Sequence, residues 1–206
     1  MARTTNSLVV ELTARISEAL DLASAAEAAP NFSYTRRLHV YVASYLLMFC
    51  AWENFLEQSL IRFLCGYKNS RGVFARVGGG TYFRSAAGAY AYILGGKPYL
   101  LWHNPQEAID RCNAHLVGGP HATVIASALS DVKNFSSIRN HVAHRTANTR
   151  SKFDAATMAL AGRTMQAGRA GRFLRSSTTL PATGAVSSWL GRISADLGGY
   201  AAQIAS

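Results

Sequence analysis

Between Tyr34 and Leu64 the chain carries Leu38, Val42, Tyr45, Phe49, Trp52, Leu56, Ser59 and Phe63 on one stripe when residues are laid out at about 100° each. An apolar line of that length must be covered along its whole extent, so the segment is expected to be the central helix of a helical core. Glu53 borders this stripe.

Neighbouring segments obey the same periodicity. Residues 7–28 place Leu8, Leu12, Ile16 and Leu20 at four-residue steps and stop before Pro30. In NPQE (104–107), Asn104 suits an N-cap, Pro105 the first helical position and Glu107 the third position of a capping box, and this helix is expected to stop at Gly118 and Gly119. Pro120 opens another helix, with Ile125, Ala128, Val132, Phe135, Ile138 and Val142 on its apolar side, ending near Arg145. Ser151 and Asp154 mark a further start, for a helix over about 152–166. After the turn-like SSTTLPATG, the residues Val186, Trp189, Ile193, Leu197, Tyr200 and Ile204 predict a final amphipathic helix. No strong alternating strand pattern is present, so the expected class is all-α, with one domain spanning 1–206.

Composition narrows the partners. Apolar residues make up 49% of the 206 and charged ones 16%, the balance of a packed globule rather than a disordered chain. Three cysteines, Cys50, Cys65 and Cys112, sit in apolar sequence, which suits reduced thiols in a cytosol better than a disulfide framework. The opening MARTTNSLVVELTAR has no secretory pattern, and the apolar run Val40–Trp52 is shorter than the roughly 18 residues of a membrane span. A cytoplasmic protein with no membrane partner is expected. Its 21 basic residues exceed its 11 acidic ones by 10, and residues 150–206 alone hold seven basic against two acidic side chains. That excess favours a polyanion as partner.

Residues 66–98 break the helical pattern with glycines at 66, 72, 78, 79, 80, 88, 95 and 96, and interleave Arg71, Arg76, Arg84 and Lys97 with Phe74, Tyr82, Phe83, Tyr90 and Tyr92. This insertion reads as a long connection with a short hairpin or helix inside it. Its aromatics either stack on single-stranded nucleic acid or pin the loop onto the core. The triple glycine lacks the strand, turn and helix spacing of a phosphate-binding fingerprint.

The chemistry concentrates in SIRNHVAHRT (137–146). At helical spacing Arg139 falls between Val132 and Phe135, inside the apolar stripe, whereas Asn140 and His144, four residues apart, share a neighbouring face. A guanidinium among core residues needs an anionic partner or the mouth of a polar pocket, because burying it alone costs several kcal/mol. Glu53 is the natural carboxylate for that pairing. His141 lies three residues before His144 and could substitute for it, position a ligand or face solvent. Neither the His141/His144 pair nor Cys112, His115 and His121 shows the ligand spacing of a zinc centre, so no metal and no other cofactor is expected.

RNHVAH is an Arg-x4-His element, and it resembles the signature of the HEPN superfamily, particularly the ribonucleases of prokaryotic defence and toxin–antitoxin systems. The segment SYLLMFCAWENFLEQSL (44–60) is similar to the long core helix of that family, whose acidic residue would correspond to Glu53. The resemblance covers roughly residues 34–166. It implies an antiparallel α-bundle of HEPN type, here with a glycine-rich insertion at 66–98 and a basic segment plus C-terminal helix at 168–206. It also implies a metal-independent endoribonuclease in which the ribose 2′-hydroxyl attacks the adjacent phosphate, with Arg139, Asn140 and His144 as catalytic residues and Glu53 and His141 supporting them. In the family a two-fold dimer pairs two such helices into one composite cleft, so a homodimer acting on RNA is expected, with an antitoxin or defence-system protein as a further partner. The alternative is a catalytically silent module that binds nucleic acid or nucleotide, or serves as an adaptor. Arg145, and the spaced Arg163, Arg169, Arg172 and Arg175, either follow a phosphate backbone or form a solvated face.

Overall fold

The computed structural model describes residues 4–165 and 169–206. Among them the chain is mainly helical, in the order α1 (Asn6–Ala28), α2 (Tyr34–Leu64), α3 (Ala86–Leu94), α4 (Pro105–His115), α5 (Pro120–Ser127), α6 (Leu129–His144), α7 (Ala147–Ala161), α8 (Ala170–Arg175), β1 (Ser177–Thr179), β2 (Val186–Ser188) and α9 (Trp189–Ala205). No helix among the described residues is long and apolar enough to cross a membrane. Packing divides the chain into two compact units. One gathers the stretch ending at Leu12 with Trp52–Leu129 and Gly199–Ser206; the other gathers Thr13–Ala51 with Ser130–Gly198.

The long stripe becomes α2 with the expected limits, and Tyr45, Phe49, Trp52, Leu56, Ser59 and Phe63 on it are buried. Elsewhere the boundaries shift for local reasons. Asn104 caps α4 by accepting from Gln106 N at 3.2 Å and donating to Glu107 Oε1 at 3.0 Å, but the helix ends at His115 rather than at the glycines. The single helix expected from Pro120 to about Arg145 is two, because Ala128, at φ −104° and ψ 16°, leaves the helical region. α7 starts earlier than Ser151, since Thr146 and Thr149 form a reciprocal capping box, and it stops at Gly162 in the left-handed conformation. Residue 166, to which that helix was expected to run, and residue 168, at the head of the basic segment, lie outside the described residues. Val186 is in a strand instead of the last helix: β1 and β2 pair antiparallel, with Thr179 opposite Val186 and Ser177 opposite Ser188. A helix-period apolar pattern hid this hairpin, whose register is set by the tight loop in which Leu180 N donates to Ala185 O at 2.9 Å.

In the first unit the insertion holds α3, as the sequence allowed, and is tied down mainly through its backbone. Thr5 N donates to Lys68 O at 3.0 Å, Ser70 N to Ala205 O at 2.7 Å, Phe83 N to Leu64 O at 2.8 Å, and Val117 N to Arg76 O at 2.8 Å. Val77, Ala89 and Ile93 are its buried side chains, while Phe74, Tyr82, Tyr90 and Tyr92 stay exposed. Phe83 is half-buried and the Tyr92 ring packs on His115 of α4 with centroids 4.9 Å apart, so aromatic contacts add to this backbone anchoring. Within this unit His121 is fully buried, its Nε2 2.7 Å from Ser59 Oγ and its ring edge-on to Phe63. Burial pushes its pKa down to about 3 and that of the Cys112 thiol up to about 12.

The second unit packs α6, α7, α8 and most of α9 against the first half of α2 and the rest of α1. A row of rings runs through it: His141 stacks on Phe153 with centroids 4.7 Å apart, Phe153 meets Phe173 edge-on at 6.3 Å, and Phe173 stacks on Trp189 at 5.1 Å. Gly171 lets α8 approach α2 closely, for a Cβ there would overlap the carbonyl of Leu38. Tyr45 Oη donates to the Phe135 carbonyl at 2.7 Å, fixing α6 against α2.

Candidate functional site: the C-terminal turns of α6

The last turns of α6 sort their polar residues by face. Arg139 is half-buried, with its Nε screened from solvent, and its Nη1 lies 3.4 Å from Asn140 Oδ1, a long hydrogen bond between chain neighbours. His144, the last helical residue, is exposed. His141 is buried against Phe153 and turns to another flank, about 60° round the helix from His144. Glu53 belongs to the first unit, where its Oε1 stands 3.7 Å from His103 Nδ1.

Immediately after His144 the backbone does something costly. Arg145 has φ 41°, and no other non-glycine residue among those described has a positive φ. Its N–H donates to His141 O at 3.1 Å, so it closes the helix in the position that Gly95 occupies after α3 and Gly162 after α7. A side chain in this region costs about 1–2 kcal/mol relative to ordinary backbone. The result is a guanidinium held at the helix end, where it lines a cavity of about 680 Å³.

That cavity draws on α2, α6, the start of α7 and α8, all in the second unit. Arg145, Arg150, Arg169, His39 and His141 line it, and no aspartate or glutamate does so among the described residues. Arg150 is engaged by Asp154, with Nε 3.2 Å from Oδ2. Arg145 and Arg169 make no ion pair among the described residues. A second cavity, of about 470 Å³, is lined by Arg163, Arg172 and Arg175. Here Arg175 is clamped by Glu27 through Nε–Oε1 at 2.5 Å and Nη2–Oε2 at 2.9 Å. The hydrogen bond from Arg175 holds the Glu27 carboxyl below its ordinary range, against a weaker opposing effect of burial. Tyr34 lines both cavities, and the Arg175 guanidinium lies over its ring at 5.5 Å.

The structure thus brings His141, Arg145 and Arg169 to one cavity and Arg163, Arg172 and Arg175 to the other, while Asn140 and His144 share a neighbouring face of α6 and Arg139 stands in line with the buried Val132 and Phe135. The sequence reasoning missed Tyr34, His39 and Arg150. Tyr34, Leu38 and Val42 do share one line of α2 at four-residue spacing, but nothing local says that α6 and α8 pack there. Cys112, His115 and His121 are placed on α4 and α5, and no group of three or more His, Cys, Asp or Glu among the described residues is arranged to hold a metal ion. Compared with protein-family models, curated proteins and solved structures, the chain matches none of them.

Proposed function

We propose that the chain is a HEPN-like, metal-independent endoribonuclease of the cytoplasm. The observation that carries this reading is an exposed imidazole, His144, ending a helix on which the sheltered Arg139 guanidinium meets Asn140, beside cavities lined by arginine. An imidazole has one nitrogen that can accept a proton and one that can donate it, so His144 can take the proton of a ribose 2′-hydroxyl or return one to the leaving 5′-oxygen. Arg139 offsets the charge that accumulates on the pentacoordinate phosphate, and Asn140 orients it. Cleavage leaves a 2′,3′-cyclic phosphate and a 5′-hydroxyl. One helix carries one exposed histidine of the motif, whereas the reaction uses a proton acceptor and a donor; two copies related by a two-fold axis supply both. A restraining antitoxin or defence-system protein would then act on this homodimer.

The test is cleavage of total RNA by the unmodified chain and by His144→Ala and Arg139→Ala. Each substitution is expected to lower the rate by about 10²–10⁴-fold, and RNA with a 2′-deoxy residue at the cut position is expected to resist. Equal cleavage by all three proteins would remove the reading. A silent RNA-binding module is the second reading, favoured by the carboxylate-free lining of the larger cavity, which suits anion binding without any turnover.

A further inference from the structure

The cavity of about 680 Å³ is not the proposed cleavage site. It opens on the His141 and Val142 flank of α6, away from the face shared by Asn140 and His144. Its size falls within the range of small-molecule sites. Its lining is two-sided in character. Leu38, Val42, Val142 and Ala170 give it an apolar wall, and Tyr34 lines it as well. Arg145 and Arg169 give it guanidinium donors that make no ion pair among the described residues, and the rings of His39 and His141 also line it.

Four features fix these groups in place. The His141 ring is held in plane by stacking on Phe153. Arg145 is set at the helix end by left-handed backbone that glycine would adopt without strain. Gly171 brings α8, and with it Arg169, against Leu38. The Arg175 guanidinium lies over the Tyr34 ring, 5.5 Å from its centroid, which restrains that side chain.

We infer that this cavity binds a phosphorylated aromatic molecule, the planar ring against Tyr34 and the apolar wall, the phosphate between Arg145 and Arg169. A guanidinium pair suits a phosphate because each can donate two parallel hydrogen bonds to its oxygens. Two sources share this chemistry: a free nucleotide, or one nucleotide unit of an RNA strand. Binding at this cavity needs no turnover and does not rest on the ribonuclease reading.

The experiment is calorimetric titration of the full chain with AMP, adenosine, inorganic pyrophosphate and a 2′-O-methylated oligouridine, which cannot be cut through its 2′-oxygen. AMP is expected to bind and adenosine to bind at least about tenfold more weakly. Arg145→Ala and Arg169→Ala are each expected to weaken AMP by about tenfold or more. Thr35→Glu, at an exposed position on the cavity rim, is expected to do the same by repulsion without disturbing the fold. Tyr34→Ala should weaken AMP and leave pyrophosphate unchanged. Binding of AMP assigns a free nucleotide as ligand; binding of the oligouridine alone assigns a strand, and both support the cavity chemistry. Equal affinity for AMP and adenosine, affinities unmoved by Arg145→Ala, Arg169→Ala and Thr35→Glu, or no binding of any phosphorylated probe at millimolar concentration would overturn the inference. Loss of RNA cleavage in His144→Ala with unaltered AMP titration would show the two sites to be separate.

Discussion

The hydroxyl of Tyr45 donates to the carbonyl of Phe135 at 2.7 Å, and in an α-helix that same carbonyl accepts the amide of Arg139. One buried phenol on α2 therefore fixes the turn of α6 on which the arginine of the motif stands. Tyr45→Phe removes the bond and keeps the ring, so unfolding by urea should report a loss of about 1–2 kcal/mol. An unchanged midpoint would mean that packing alone positions α6.

Two inactive chains should rescue one another if the cleavage site is shared across a dimer. Mixing Arg139→Ala with His144→Ala protomers, after denaturation and joint refolding, produces mixed dimers whose cleft retains one arginine and one histidine. Partial return of RNA cleavage is expected from the mixture, and from neither protein refolded alone. Absence of any return would mean that one arginine and one histidine contributed from different copies are not enough for cleavage.

His121 makes stability depend on pH in a defined direction. Burial holds its folded pKa at about 3, whereas an exposed histidine titrates near 6.5. The unfolded chain therefore binds a proton that the folded chain refuses as pH falls below about 6.5. Stability from this group is complete above that value and declines by about 1.4 kcal/mol per unit on the way down toward 3. Urea midpoints compared at pH 7.5 and 5 should fall more steeply for the unmodified chain than for His121→Asn. Equal slopes would place the burial effect elsewhere.

Arg145 should show opposite signs for stability and for anion binding. Arg145→Gly relieves left-handed strain but loosens the unfolded chain, so unfolding free energy is expected to stay level or rise by up to about 1 kcal/mol. Arg145→Val, branched at the same backbone, is expected to lose more than about 1 kcal/mol. A destabilised Arg145→Gly would show that the side chain, not the backbone, closes α6.

Gly171 is expected to tolerate nothing larger. Gly171→Ala sets a methyl against the Leu38 carbonyl, and α8 must back away from α2 at a cost of about 1–3 kcal/mol. Thermal unfolding measures this directly; an unchanged transition would mean that α8 is not seated there.

Helical class, the limits of α2 and the capping of α4 were readable because each is a local property: periodicity in the first two, N-cap chemistry in the third. The break at Ala128 was not, since neither glycine nor proline marks it. The hairpin of β1 and β2 was masked by Val186, which continues the apolar spacing of α9 while lying exposed in a strand. For the candidate site, the sequence pointed to Arg139, Asn140 and His144 through spacing within one helix. It could not reveal that His39 and Tyr34 join Arg145 and Arg169, because that company depends on contacts made about a hundred residues apart.

The same separation has a consequence for the chain as it is made. The larger cavity is lined from residues 34–42 and 141–171. Translation adds roughly 5–20 residues per second, so many seconds pass between delivery of the first wall and the last. Products that stop short of residue 171 lack one side of the hollow altogether, and the anion capture proposed there would be reserved for molecules extended beyond that point.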